Sequence, residues 1–157
     1  MSFQEYPVVK LTFLGTGTSQ GVPVVACNCK VCSSKDTRDK RLRSSVLLEI
    51  NNINIVIDAG PDFRYQMLRE KVTQLHAVLL THGHKDHAGG LDDVRAYNYF
   101  MQKPMDVYAS NSVNRQIKKE YAYAFSDNKY PGVPDINLHN IKNKIFVLQY
   151  DLFLFMF

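Results

Sequence analysis

In residues 77–87, AVLLTHGHKDH, a wholly apolar run passes directly into three histidines and an aspartate. A short run with no polar alternation is what a strand buried on both faces requires. His82 and His84 are one residue apart, so in an extended segment they point the same way. Asp86 and His87 follow where the chain begins to turn, and they face a point close to the first pair. Imidazole nitrogens and a carboxylate suit zinc, manganese or iron. Solvated loop histidines beside Lys85 are the plain alternative. The end of a buried strand, however, is where α/β sheets place their ligands, and the spacing there marks a metal site.

The flanking sequence supplies the sheet. VVKLTFLG (8–15) reads as a strand ending at glycine, and TGTSQGVPVV as a loop. SVLLEI and INIVIDAG flank Asn51-Asn52 and predict a hairpin. PDFRYQMLREK starts with proline and acid, as helices favour, with Phe63, Met67 and Leu68 on one face. GLDDVRAYNYF and SVNRQIKKEYAYAF read as helices, MDVYAS and INLHNI as strands, and SDNKYPGVPD as a turn-rich loop. Strands alternating with helices predict one α/β domain.

With 45% apolar residues in 157 the chain has enough to bury a core, and its formal net charge of +4 is mild. That charge permits an acidic or phosphate-bearing ligand and gives no positive case for nucleic acid. The first residues show no basic leader and no cleavage site, and no apolar run reaches the roughly 18–20 residues of a membrane span. A cytoplasmic location is expected. All three cysteines lie in CNCKVC, as Cys27, Cys29 and Cys32. An odd count is a poor disulfide framework; three thiolates so spaced can converge on one zinc, or stay as reduced loop cysteines. Arg95 is placed either to grip a substrate phosphate or to pair with Asp92 at i,i+3. Arg38, Lys40, Arg41 and Arg43 attract a phosphorylated substrate or form a solvated loop. Helix packing is expected to account for Tyr97, Tyr99, Tyr121 and Tyr123, and His76 is expected at the surface or satisfied in the core.

The H-x-H-x-D-H motif, LTFLGTGTSQGVP and IVIDAGPDFR together resemble the metallo-β-lactamase superfamily of hydrolases. Within it, GTGTSQGVPVVACNCKVC followed by RLRSS is similar to the cyclic-phosphate phosphodiesterases of phosphonate degradation. The resemblance implies an αββα sandwich, of which this chain offers the N-terminal half. It implies a first metal on His82 and His84 and a second on Asp86 and His87. A hydroxide between two metals about 3.5–4 Å apart would attack the phosphate, with Asp86 orienting it or taking its proton. Asp58 would support the ligand loop from behind, and a structural zinc on the cysteines would draw a histidine from far toward the C-terminus.

The same resemblance implies a later histidine, a bridging aspartate and a last histidine. Neither His139 nor Asp151 has the setting of those ligands. The apolar segment 145–157 lacks the alternation of a half-buried strand, and the chain is expected to be native to the family only to about 144, truncated or frameshifted thereafter. Weak or absent activity and a homodimer covering the open sheet face follow as expectations. Three other functions stay open: a tRNA 3′-processing endonuclease, a protein of pyrroloquinoline-quinone biosynthesis, and a non-catalytic metal-binding remnant.

Overall fold

The computed structural model describes residues 9–141, together with the backbone of 145–148 and 152–155. Six strands form one sheet in the order of the chain: β1 (Val9–Gly15), β2 (Ser45–Ile50), β3 (Ile53–Ile57), β4 (Ala77–Leu79), β5 (Met105–Ala109) and β6 (Ile136–Asn140). β1, β2 and β3 pair antiparallel, and β3 to β6 run parallel. The expected hairpin is present. Asn51 and Asn52 both take positive φ, 48° and 67°, which a two-residue turn matched to the twist of its strands demands and asparagine tolerates.

Each parallel connection carries helix. α1 (Phe63–Arg69) lies between β3 and β4; α2 (Lys85–Ala88) and α3 (Arg95–Met101) lie between β4 and β5; α4 (Asn111–Glu120) joins β5 to β6. Their buried residues, including Phe63, Met67, Tyr97, Val113 and Ile117, share one core with Val56, Val78 and Val107 of the sheet. All helices therefore cover the same face. Alternate strand residues, Ile55, Ala77, Leu79 and Tyr108, form a second apolar cluster on the opposite face. β4 is buried throughout because it has neighbours on both sides and apolar contacts on both faces. This is an α/β architecture of one helical layer on one mixed sheet.

Local details depart from the expectations. GLDDVRAYNYF opens as a 3-10 turn over Leu91–Val94 before α3 begins. SVNRQIKKEYAYAF is not one long helix: α4 stops at Glu120, and a 3-10 turn follows over Ala122–Ala124. Tyr121 explains the break, because burying its ring and placing its hydroxyl 2.7 Å from the Ala88 carbonyl pulls the chain inward. Leu68 does not share the buried face of Phe63 and Met67. It is 60% exposed, and Gln66 is buried instead, with its amide on the Arg43 carbonyl. Asp62 does not cap α1; its carboxylate holds the Arg43 backbone N–H and guanidinium at 2.8 and 3.0 Å.

In the apolar tail, Ile145–Leu148 and Leu152–Phe155 pair as a two-stranded antiparallel ribbon, although the sequence there lacks polar alternation. Asp151 and residues 1–8 lie outside the described residues. No helix among the described residues is long and apolar enough to cross a membrane.

Two residues of α1 on opposite sides of its buried boundary make a direct test. Phe63→Ala empties a site that is 1% exposed and is expected to cost about 3–5 kcal/mol. Leu68→Ala is expected to stay within about 0.5 kcal/mol of the parent. Urea denaturation of the two variants checks the difference.

Candidate metal centre

The centre is assembled by strand register. β3 and β4 run parallel with Ile57 beside Leu79, so both strands end at the same level. The Asp58 N–H donates to the Leu79 carbonyl at 2.8 Å, and Asp58 itself takes φ +65°. That turn leaves its buried carboxylate against the start of the histidine loop. Oδ1 accepts the Thr81 backbone N–H at 2.8 Å; Oδ2 accepts the Thr81 hydroxyl at 2.8 Å and meets His87 Nδ1 at 2.7 Å.

This network assigns the histidine tautomers. Thr81 has one hydroxyl proton, and a carboxylate can only accept. With that proton on Asp58, the Thr81 oxygen accepts from His82 Nδ1, 3.0 Å away. His82 then carries its proton on Nδ1 and leaves Nε2 bare. His87 meets Asp58 through Nδ1 in the same way, so its Nε2 faces Asp86 Oδ2 at 3.2 Å. Outer carboxylates orient ligating histidines by this means.

His82, His84 and Asp86 each offer one ligand atom, all within 4.8 Å of one another. The His82 ring stands 4.7 Å from that of His84 and 3.9 Å from that of His87, centroid to centroid. Three imidazoles packed this closely beside one carboxylate, with nitrogens left as acceptors, form a donor set that fits a divalent metal. Close backbone approach completes the loop. A Cβ on Gly60 would stand 2.0 Å from the Asp86 carbonyl oxygen, which leaves room there for glycine alone.

Cys27, Cys29 and Cys32 also converge, with sulfurs within 4.8 Å of one another. The Cys32 N–H points at the Cys29 sulfur. This contact, followed by hydrogen bonds from the Cys27 and Cys32 thiols, lowers the Cys29 pKa to about 7. The Val24 N–H on Cys32 works to lower that thiol, but contacts with Cys27 and Cys29, together with desolvation, leave it raised. Among the described residues no fourth ligand joins the group. His139 does not: its Nε2 lies 2.7 Å from Asp106 Oδ1 and its ring stacks on Tyr108.

The other residues singled out in the sequence are placed as follows. Arg95 stands 3.7 Å from Asp92 Oδ2. Arg43 is held by Asp62 and the Ser19 carbonyl, and Arg38 by Asp36. His76 accepts the Asn54 N–H, and burial lowers its pKa. Tyr97 and Tyr121 are buried, with hydroxyls on the Val72 and Ala88 carbonyls; Tyr123 donates to Asp92. Tyr99 is largely exposed. The sequence reading missed Thr81, Gln116 and Glu120. Thr81 had a legible signal, since it lies between the strand and the first histidine. The other two sit on α4, more than thirty residues further on.

A family model described as a beta-lactamase superfamily domain matches residues 53–152. The chain belongs to the metallo-β-lactamase superfamily. Among solved structures it is similar to a diphosphatase from the PhnP family, at 38% identity and a TM-score of 0.80, over 90% of this chain and 53% of that one. It shares its fold with zinc-bound PqqB from Methylobacterium extorquens, at 23% identity and a TM-score of 0.68, over 88% and 48%. Among curated proteins it is 44% identical over 135 residues to an octanoyltransferase of Porphyromonas gingivalis, covering 85% of this chain and 27% of that protein. It is 31% identical over 117 residues to coenzyme PQQ synthesis protein B of Methylorubrum extorquens, covering 66% and 38%. The chain thus spans about half or less of each of these relatives.

Two outcomes are expected. In the metal-free chain Cys29 is alkylated first, its rate rising through pH 7 as the thiolate forms, whereas zinc slows all three cysteines; mass spectrometry of iodoacetamide-treated samples reads the order. Asp58→Asn removes an acceptor shared by Thr81 and His87 and is expected to weaken zinc binding at the histidine loop by about 10–100-fold, measured by competition with a chelator.

Proposed function

We propose that the chain is a metal-dependent phosphodiesterase acting on a small phosphate ester, cyclic esters included. The observation that carries this reading is the convergence of His82, His84 and Asp86 on one point, with Asp58 fixing the loop behind them. Similarity to a diphosphatase structure at 38% identity supports chemistry at phosphorus.

In this reading His82 and His84 hold one divalent metal through Nε2 and a ring nitrogen, and Asp86 and His87 hold a second. Zinc suits both positions, and manganese or iron suits the same donors. Bound metal supplies the Lewis acid that activates water and polarises the phosphate oxygens. Asp86 keeps one carboxylate oxygen for the proton of the attacking water. Water adds at phosphorus, one ester P–O bond breaks, and the leaving alkoxide takes up the proton that Asp86 accepted from the water. Asp58 holds the His87 ring in place through Nδ1. Arg95, once drawn from Asp92, meets the phosphate. The three cysteines hold a structural zinc.

Hydrolysis of bis(p-nitrophenyl) phosphate by zinc- or manganese-loaded protein tests the reading. His82→Ala/His84→Ala is expected to lower the rate at least about 100-fold and to remove the metal that the histidine loop holds. Unchanged turnover or unchanged metal content in the double variant overturns it. A second reading, a role like that of coenzyme PQQ synthesis protein B, is favoured by 31% identity over 117 residues. Because weak or absent turnover is expected of a chain that spans about half of its relatives, metal at the histidine loop supports that second reading only when a protein of the relatives' full length also turns over neither a phosphodiester nor a diphosphate.

A further inference from the structure

The histidine loop is held from two sides. Asp58 grips one. On the other, the C-terminal half of α4 and the residue that follows it reach the loop at three points. Gln116 Nε2 donates to the Gly83 carbonyl at 2.7 Å. Glu120 Oε2 accepts from Lys85 Nζ at 2.8 Å, while its Oε1 accepts from the same Gln116 amide at 3.0 Å. Tyr121 donates its hydroxyl to the Ala88 carbonyl at 2.7 Å, and Lys85 lies over the Tyr121 ring at 5.4 Å.

The spacing is informative. Gly83 sits between His82 and His84, and Lys85 between His84 and Asp86. Residues 116 and 120 are neighbours on one face of a helix, so one rigid surface fixes the two non-ligand residues that separate the three ligands. The glycine belongs to the same device: a Cβ at position 83 would stand 2.3 Å from Gln116 Oε1. An alanine there would displace the amide from the loop. The pairing is also electrostatic, since the Lys85 ammonium, with help from the Gln116 amide, holds the Glu120 carboxyl below its ordinary range.

We propose that Gln116 and Glu120 are positioning residues that set the separation of His82, His84 and Asp86, and with it the affinity and ligand field of the metal. This rests on the metal-centre reading above. It assigns α4, which contributes no ligand, a part in the chemistry.

Cobalt titration of the metal-stripped 157-residue chain tests it. Cobalt at either cluster gives visible d–d bands, and cobalt at the cysteines adds near-ultraviolet thiolate bands. Each titration is therefore run in a Cys27→Ser/Cys29→Ser/Cys32→Ser background, where d–d bands report the histidine loop, and repeated with the cysteines intact, where the thiolate bands report the second cluster. Gln116→Glu replaces the donor with a carboxylate facing a carbonyl and is expected to weaken cobalt at the histidine loop about 10-fold or more. Its d–d bands shift and the thiolate bands stay as in the parent. Gly83→Ala is expected to reproduce this without any change on α4. Lys85→Glu and Glu120→Lys each weaken binding, and the double reversal Lys85→Glu/Glu120→Lys recovers most of it. Affinities within twofold of the parent and unchanged d–d bands in Gln116→Glu and Gly83→Ala overturn the proposal. So does a double reversal no tighter than its single variants. A parent chain that shows no d–d bands from the histidine loop overturns the metal-centre reading itself, and the two failures are told apart by that first titration. Far-ultraviolet circular dichroism establishes that each variant is folded. Both Gln116 and Lys85 are exposed, so their replacement leaves the core intact.

Discussion

The candidate site depends on one carboxylate. Asp58 takes a backbone N–H, a hydroxyl and an imidazole N–H into two oxygens; the first two come from Thr81 and the third from His87, so the carboxylate ties the two ends of the loop together. A buried carboxylate with fewer partners would be costly; with all three it orders seven residues that have little hydrophobic reason to hold their shape. The φ of +65° at Asp58 is part of this. A left-handed residue with a side chain carries strain, and here that conformation turns the carboxylate back across the strand ends.

The sheet makes such an arrangement available without further design. Parallel neighbours in register finish together, and the residues just beyond β3 and β4 meet at the same edge. The tight glycines then decide how near they come. Gly60 lets the Asp86 carbonyl pass, and Gly90 donates its N–H to the Ala59 carbonyl at 2.8 Å. The opening loop is tied down similarly, with Gly17 paired to the Leu42 carbonyl and the Ser44 hydroxyl on Gly17. These glycines bring main chain to main chain, and hydrogen bonds rather than core packing hold the region around the site.

Much of this could be read from sequence because the relevant signals are local. The apolar run before His82, the Asn51-Asn52 turn and the spacing of the histidines each act within a few residues. The strands and the ligand-bearing loop follow from them. What escaped has a common cause: it depends on residues brought together by tertiary packing. The stop of α4 at Glu120 follows from where Tyr121 must put its hydroxyl, and no propensity encodes that. Leu68 seemed placed for the core by spacing, but the stripe that α1 buries is turned toward Gln66, whose amide the Arg43 carbonyl has claimed. Arg38 and Arg43 read as a basic run because their acids, Asp36 and Asp62, had no assigned partners. Gln116 and Glu120 carried no signal at all, being ordinary polar residues on an amphipathic helix.

The sheet face away from the helices is mostly aliphatic, but Asp106 and His139 interrupt it between β5 and β6, paired at 2.7 Å beside the ring of Tyr108. Asn137 adds its amide to the same carboxylate. A hydrogen-bonded polar couple of this kind tolerates a wet margin and resists a dry one unless every remaining proton and lone pair is matched. It therefore draws a shoreline across the sheet. Aliphatic contact is favoured from β1 to β4, where Leu48, Ile55 and Leu79 already pack together on this face, and it is penalised past Tyr108. Any layer laid over this face is steered in its lateral position by a single polar couple, well away from the metal loop.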